Sequence, residues 1–181
     1  MIQSGMIRVL RCAPSLIFGM SLAFAQESPP ETASISVGGK TISIRYSAPS
    51  VRGRTIFGPG GLLSGDPTYP AWRAGANSAT SFHTDANLQI GSLDVPKGDY
   101  TLYCWVQDPE AWDLIISKET GQWGLEYNAS QDLGRVNMTM SEPPSVVEML
   151  KYTLTDQGAG KVKLQLEWER HIASVIMTVK E

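Results

Sequence analysis

Arg52, Arg54, Arg73, Asn77 and Thr80, with Trp72 beside them, are the densest set of chemically capable side chains in this 181-residue sequence. Guanidinium groups present fork-shaped donors that match carboxylate or phosphate oxygens in bidentate fashion. Asn and Thr add neutral hydrogen-bonding groups, and an indole can wall a pocket. The set therefore points to a cleft for a small anionic or carbohydrate ligand. A structural reading stands beside it: the arginines pair with Glu126, Asp132, Glu148 or another carboxylate and pin the segment down.

Aromatic residues offer a second route to sugar binding. Trp105, Trp112, Trp123, Trp168 and Tyr127 are candidates for a stacking platform, although most aromatics pack in cores. Trp168 lies in phase with Val162, Leu164 and Leu166 and reads as core. Trp123 sits in the turn Thr120-Gly121-Gln122-Trp123-Gly124 and is the surface candidate.

Other chemistries lack their residues. Gly38-Gly39-Lys40-Thr41 resembles the end of a phosphate-binding loop, but the full pattern needs Gly at position 34, where Ser34 stands. No G-x-S-x-G elbow is present. His83 and His171 are far apart in the chain, with no H-x-x-x-H or C-x-x-C pair, so no metal site and no cofactor are expected. Cys104 lies in an apolar run with no adjacent base and reads as a buried, inert thiol. A binding module thus ranks ahead of a hydrolase using Glu126, Asp132 or Glu148 as acid or base, and of a purely structural or interaction domain.

The segment that carries the arginines must be held by the rest of the chain. With 42% hydrophobic and 18% charged residues, the composition is that of a globular protein. A net charge of −3 argues against a general nucleic-acid binder. At the N-terminus, Arg8 and Arg11 precede the apolar stretch 12–22, and Ala23-Phe24-Ala25 follows. This is a secretory signal pattern over residues 1–25, with cleavage expected after Ala25 and a secreted or periplasmic product. The apolar run is shorter than the roughly 20 residues of a membrane span. Pro14 and Gly19 interrupt it, and Arg11 stands where a lipoprotein signal needs a small residue. No later stretch reads as a membrane span. Cleavage would remove Cys12 and leave Cys104 without a disulfide partner. The number of copies in the assembly has no signature in the sequence.

Residues 26–33 are polar and read as a flexible lead-in, followed by one domain over 34–181. There the dominant period is two. Ile35 and Val37, the Gly38-Gly39 turn, and then Ile42, Ile44 and Tyr46 make a hairpin signal. Further strands are expected at Leu88 and Ile90, over 100–106 and 112–116, at Val136, Met138 and Met140, and over 149–154. The last two fall over 162–168, the cleanest alternation in the chain, and over 175–179. Short strands with Gly and Pro turns predict an all-β fold, a single β-sandwich or jelly roll. Residues 47–80 break the scheme. They are rich in Gly, Pro and Arg, yet they carry Ile56, Phe57, Tyr69 and Trp72, so an ordered loop across one end of the sandwich is expected.

The run Tyr46-Ser47-Ala48-Pro49-Ser50-Val51-Arg52-Gly53-Arg54 resembles the bacterial domain-of-unknown-function family 2911. The likeness continues through Ile56-Phe57-Gly58, the run from Trp72 to Thr80, Val95-Pro96-Lys97-Gly98-Asp99, Gln122-Trp123-Gly124 and Leu166-Glu167-Trp168-Glu169, and so covers about residues 34–179. The family pattern usually carries Thr where Ala74 stands and Glu where Ser78 stands. The resemblance implies an exported β-rich domain and supplies no reaction, ligand or catalytic residue.

Overall fold

The computed structural model of the protein describes residues 27–180; the expected signal segment lies outside the described residues. The chain builds β1 (Pro30–Val37), β2 (Lys40–Ser47), β3 (Ala71–Trp72), β4 (Ala76–Thr84), β5 (Leu88–Ile90), β6 (Leu93–Val95) and β7 (Gly98–Asp108). It continues with β8 (Ala111–Ser117), β9 (Asp132–Asn137), β10 (Thr139–Ser141), β11 (Val147–Gly158), β12 (Lys161–Glu169) and β13 (His171–Val179). Two antiparallel sheets form. The first runs β1-β2-β4-β7-β8-β9 with β3 against β7, and the second runs β11-β12-β13-β5-β6 with β10 against β13. The fold is an all-β sandwich. No helix of the described residues is long and apolar enough to cross a membrane.

The period-two reading explains the core. Val162, Leu164, Leu166 and Trp168 of β12 are buried, and they lie across from Met177, Val175, Ala173 and His171 of β13. Ile42 and Ile44 of β2, Phe82 of β4, Leu102 and Cys104 of β7 and Leu114 and Ile116 of β8 join the same core cluster from the other sheet. Each fully buried Leu or Ile side chain contributes about 1.5–3 kcal/mol. Gly38 and Gly39 both take positive φ (56° and 74°), as a two-residue hairpin turn between right-twisted strands requires.

Several features depart from the sequence reading, among them the strand expected at Val136, Met138 and Met140, which splits into β9 of the first sheet and β10 of the second. Residues 30–33, expected in the lead-in, are strand: Pro30, Glu31, Thr32 and Ala33 lie across from Ser47, Tyr46, Arg45 and Ile44. The first three residues of this edge strand have exposed side chains and so need no apolar alternation, and Pro is tolerated at a strand's first residue. β4 was not expected: residues 76–80 fell in the irregular segment, and Thr80 and Thr84 occupy inward positions beside Phe82 and hide the alternation. Their hydroxyls are satisfied locally, Thr80 Oγ1 donating to Ala74 O (3.1 Å) and Thr84 Oγ1 to Ala86 O (2.8 Å). Finally, the strand expected over 149–154 is longer, and β11 runs from Val147 to Gly158.

The irregular segment is ordered, as its aromatics implied. A short 3-10 turn covers Leu62–Gly65, and Ile56, Phe57 and Leu63 are buried. Phe57 reaches Trp72, Trp112, Trp168 and His171, with ring centroids between 4.6 and 5.8 Å. That ring joins aromatic residues of both sheets.

Candidate functional site

The expected site residues do not converge on one pocket. Arg52 and Arg54 stand in a turn stitched to the second sheet. Val51 N donates to Glu148 O, and Arg52 N to Glu148 Oε1, both at 2.8 Å. Arg52, at φ 51°, lines a cavity of about 310 Å³ with Ser28, Ser50, Glu148 and Met149. Arg54 folds back on its own loop, donating from Nε to Val51 O (3.0 Å) and from Nη2 to Ser50 O (2.7 Å). Its fork holds carbonyls of its own turn.

Trp72 and Thr80 require correction as ligand contacts. Trp72 is 2% exposed and Thr80 is 0% exposed. The Trp72 indole stacks on Trp168 at 5.5 Å with 18° between planes and donates from Nε1 to Gly75 O at 3.2 Å. The Thr80 hydroxyl shares the Ala74 carbonyl with Tyr152 Oη, which donates at 2.9 Å. Their apolar and hydrogen-bonding capacity is spent inside the fold.

Arg73 and Asn77 are brought together by a partner that spacing alone could not supply. The loop 118–131 crosses back to the start of β4: Gly124 N donates to Asn77 O (3.1 Å) and Ala79 N to Gln122 O (3.3 Å). Ser78 and Trp123 form a β-bridge there. The buried Gln122 anchors this loop, donating from Nε2 to Tyr103 Oη at 2.9 Å, and Tyr103 Oη donates to Glu126 O at 2.7 Å. Asn77 takes φ 60°, a left-handed conformation that Asn tolerates better than most residues. Its Nδ2 points to Ser47 Oγ at 3.4 Å, the long end of hydrogen bonding. Arg73 passes under Gly124 and pairs with Asp66 Oδ2 at 3.1 Å. On this pedestal Trp123 stands 51% exposed, as the turn around it implied. Two motifs of the resemblance, the run from Trp72 to Thr80 and Gln122-Trp123-Gly124, are thus one structural unit.

The carboxylates suggested as acids or bases do not face one another: Glu126 follows Trp123 in its loop, its N–H donating to Trp123 O at 3.0 Å. Asp132 Oδ2 accepts from Tyr127 Oη (2.7 Å) and from Arg135 Nη2 (3.2 Å), while Arg135 lies 4.6 Å over the Trp105 ring. Glu148 serves Arg52 N, as above. Cys104 is buried, and burial pushes its thiol up to about 12. Among the described residues no group of three or more His, Cys, Asp or Glu side chains is placed to hold a metal ion.

A second region escaped the sequence reading. A cleft of about 640 Å³ opens where the β7–β8 turn (Asp108, Glu110), the end of β10 (Ser141, Glu142) and the β12–β13 turn (Arg170, His171) meet. His171 lies flat on Trp112 (5.4 Å, 17°) and meets Phe57 edge-on at 4.6 Å. Its Nδ1 is 3.5 Å from Glu169 Oε2, while Glu169 Oε1 accepts from Ile56 N at 3.1 Å. Burial pushes the imidazole below its usual pKa, against the opposing pull of Glu169 and Glu142. The only sequence signal for this group was the pair Glu169 and His171 two positions apart, which has no motif.

No curated protein and no solved structure matches the chain. A family model described as protein of unknown function (DUF2911) does match, over residues 28–177, and the chain belongs to that family.

Proposed function

We propose that the protein is an exported carbohydrate-binding module, with Trp123 as the stacking platform and Asn77 and Arg73 at its flank. The observation that carries this reading is the exposure of Trp123 on a backbone fixed to β4 by the two hydrogen bonds of the Ser78–Trp123 bridge. A half-exposed indole held in one place gives an apolar face to a sugar ring at low entropic cost, and polar neighbours receive its hydroxyls. A sugar fits better than an anion, because the Arg73 guanidinium is already matched by Asp66 at 3.1 Å.

Titration of tryptophan fluorescence with neutral and acidic oligosaccharides tests the reading, with wild type and Trp123→Ala in parallel. Saturable binding that Trp123→Ala abolishes, with an unchanged melting temperature, supports it. Absence of binding by wild type across the panel sinks it. Export is tested by sequencing the N-terminus of the protein recovered outside the cytoplasm, where Gln26 is the expected first residue.

A further inference from the structure

The cleft between the β7–β8 and β12–β13 turns shares no residue with the Trp123 platform, and its chemistry differs. Three conditions make an imidazole useful as a base: a ring locked in place, a carboxylate beside one nitrogen, and access to the other side from a cleft. His171 meets all three. Trp112 and Phe57 clamp the ring on its face and edge. Glu169 stands 3.5 Å from Nδ1, and its other oxygen is tied to Ile56 N, so the carboxylate cannot swing away freely. Negative charge beside Nδ1 favours the tautomer with the proton there, which leaves the Nε2 lone pair free. The side chain keeps 20% of its surface exposed and lines the cleft.

We propose that this cleft is an acid–base site in which His171 Nε2 is the base that activates water against a small ester, with Glu169 as its positioning residue. His171 takes a proton from water as the oxygen adds to the ester carbonyl. The C–O bond to the alcohol then breaks, and the imidazolium returns the proton to the leaving oxygen. One water is consumed, and one acid and one alcohol are released. The rim carries Asp108, Glu110 and Glu142 against Arg170, so a neutral or cationic ester is accepted and an anionic one disfavoured. The same groups, with Glu169, are the charges that face the imidazole. Burial outweighs the pull of Glu169 and Glu142 and holds the imidazole below its ordinary pKa, which favours the neutral ring.

The test uses 4-nitrophenyl acetate as a neutral probe and its succinate analogue as an anionic one. Wild type is expected to hydrolyse the acetate with a rate that rises through a midpoint below the ordinary imidazole value. His171→Asn should lower that rate about tenfold or more, and His83→Asn should leave it unchanged. Glu169→Gln should lower both the rate and the midpoint, since the lost charge had favoured the protonated ring. Equal rates for wild type and His171→Asn, or an unmoved midpoint in Glu169→Gln, overturn the proposal; so does preference for the succinate. Should either variant fail to fold, ring nitrogen NMR on wild type decides. A proton on Nδ1 and a low midpoint uphold the assignment, and a proton on Nε2 refutes it.

Discussion

Arg73 occupies the space that a side chain on Gly124 would need: a Cβ there would run into Arg73 Cδ and the Asn77 carbonyl. Two segments some fifty residues apart are packed too closely for anything but a hydrogen atom at that point. Gly124→Ala is therefore expected to cost about 1–3 kcal/mol of stability, the usual range for overpacking, and to loosen the Trp123 pedestal. Urea denaturation measures the first effect. Faster amide exchange at Gly124 and Ala79 reports the second, because both donate across this contact.

Trp72 and Trp123 should respond in opposite ways to removal. Trp72→Ala empties a core position stacked on Trp168 and should cost about 3–5 kcal/mol. Trp123→Ala removes a half-exposed ring and should leave stability within about 0.5 kcal/mol. Thermal melts of the two variants side by side check the contrast. A large loss in Trp123→Ala would make that residue a packing element and count against the platform.

His83 sits between two carboxylates, with Nδ1 2.8 Å from Asp99 Oδ1 and Nε2 3.2 Å from Asp85 Oδ1. Hydrogen bonds to Asp99 and then Asp85 raise its pKa. Its contribution is therefore fully present below the unfolded value, near 6.5, and fades as pH rises through the higher folded value. Asp85 is held below its ordinary value, chiefly by the Thr41 backbone N–H and then by His83. Its contribution is present above its unfolded value and fades as pH falls through the folded one. His83→Gln should remove the loss of stability seen on the alkaline side of 6.5, read from urea midpoints at each pH. The effect will be small, since these groups are open to solvent.

His171 has the opposite sign. Burial lowers its folded pKa, so the unfolded chain takes up the proton first. Stability is lost as pH falls from about 6.5, the ordinary value, towards the folded midpoint. His171→Asn should flatten the acid limb of the same profile and His83→Gln the alkaline one, which separates the two histidines in one experiment.

Cys104 should resist thiol reagents in the native state and react only on unfolding, since burial pushes the thiol up to about 12. Reaction with an aromatic disulfide, with and without urea, gives the answer. Modification of the folded protein at neutral pH would contradict this burial.

Much of the sandwich was legible because β12 and the β1–β2 hairpin bury alternate residues, and a period of two needs only local information. β4 was obscured where threonines took core positions, since Thr80 and Thr84 look polar until their hydroxyls are seen bonded to nearby carbonyls. The arginines were visible as residues but not as contacts. Arg54 turns onto its own loop, while Arg73 finds Asp66, an acid that no spacing rule favours over Glu126 or Glu148. The His171 cleft was out of reach for a different reason. It joins three turns, around residues 108–110, 140–142 and 169–171, and only the pairing of β10 with β13 and the packing of the sheets bring them together.

β1 ends the first sheet and pairs only with β2 among the described residues, so a strand from another molecule could seek the amides of its other margin. The sequence there guards against such recruitment. Pro30 supplies no N–H at the first rung, and Glu31, Thr32, Ser34 and Ser36 give the margin a hydrophilic character with one fixed charge. The trait that hid the first half of this strand, residues 30–33, from a hydrophobic-pattern reading is thus its protection: a border apolar enough to be obvious would also be adhesive.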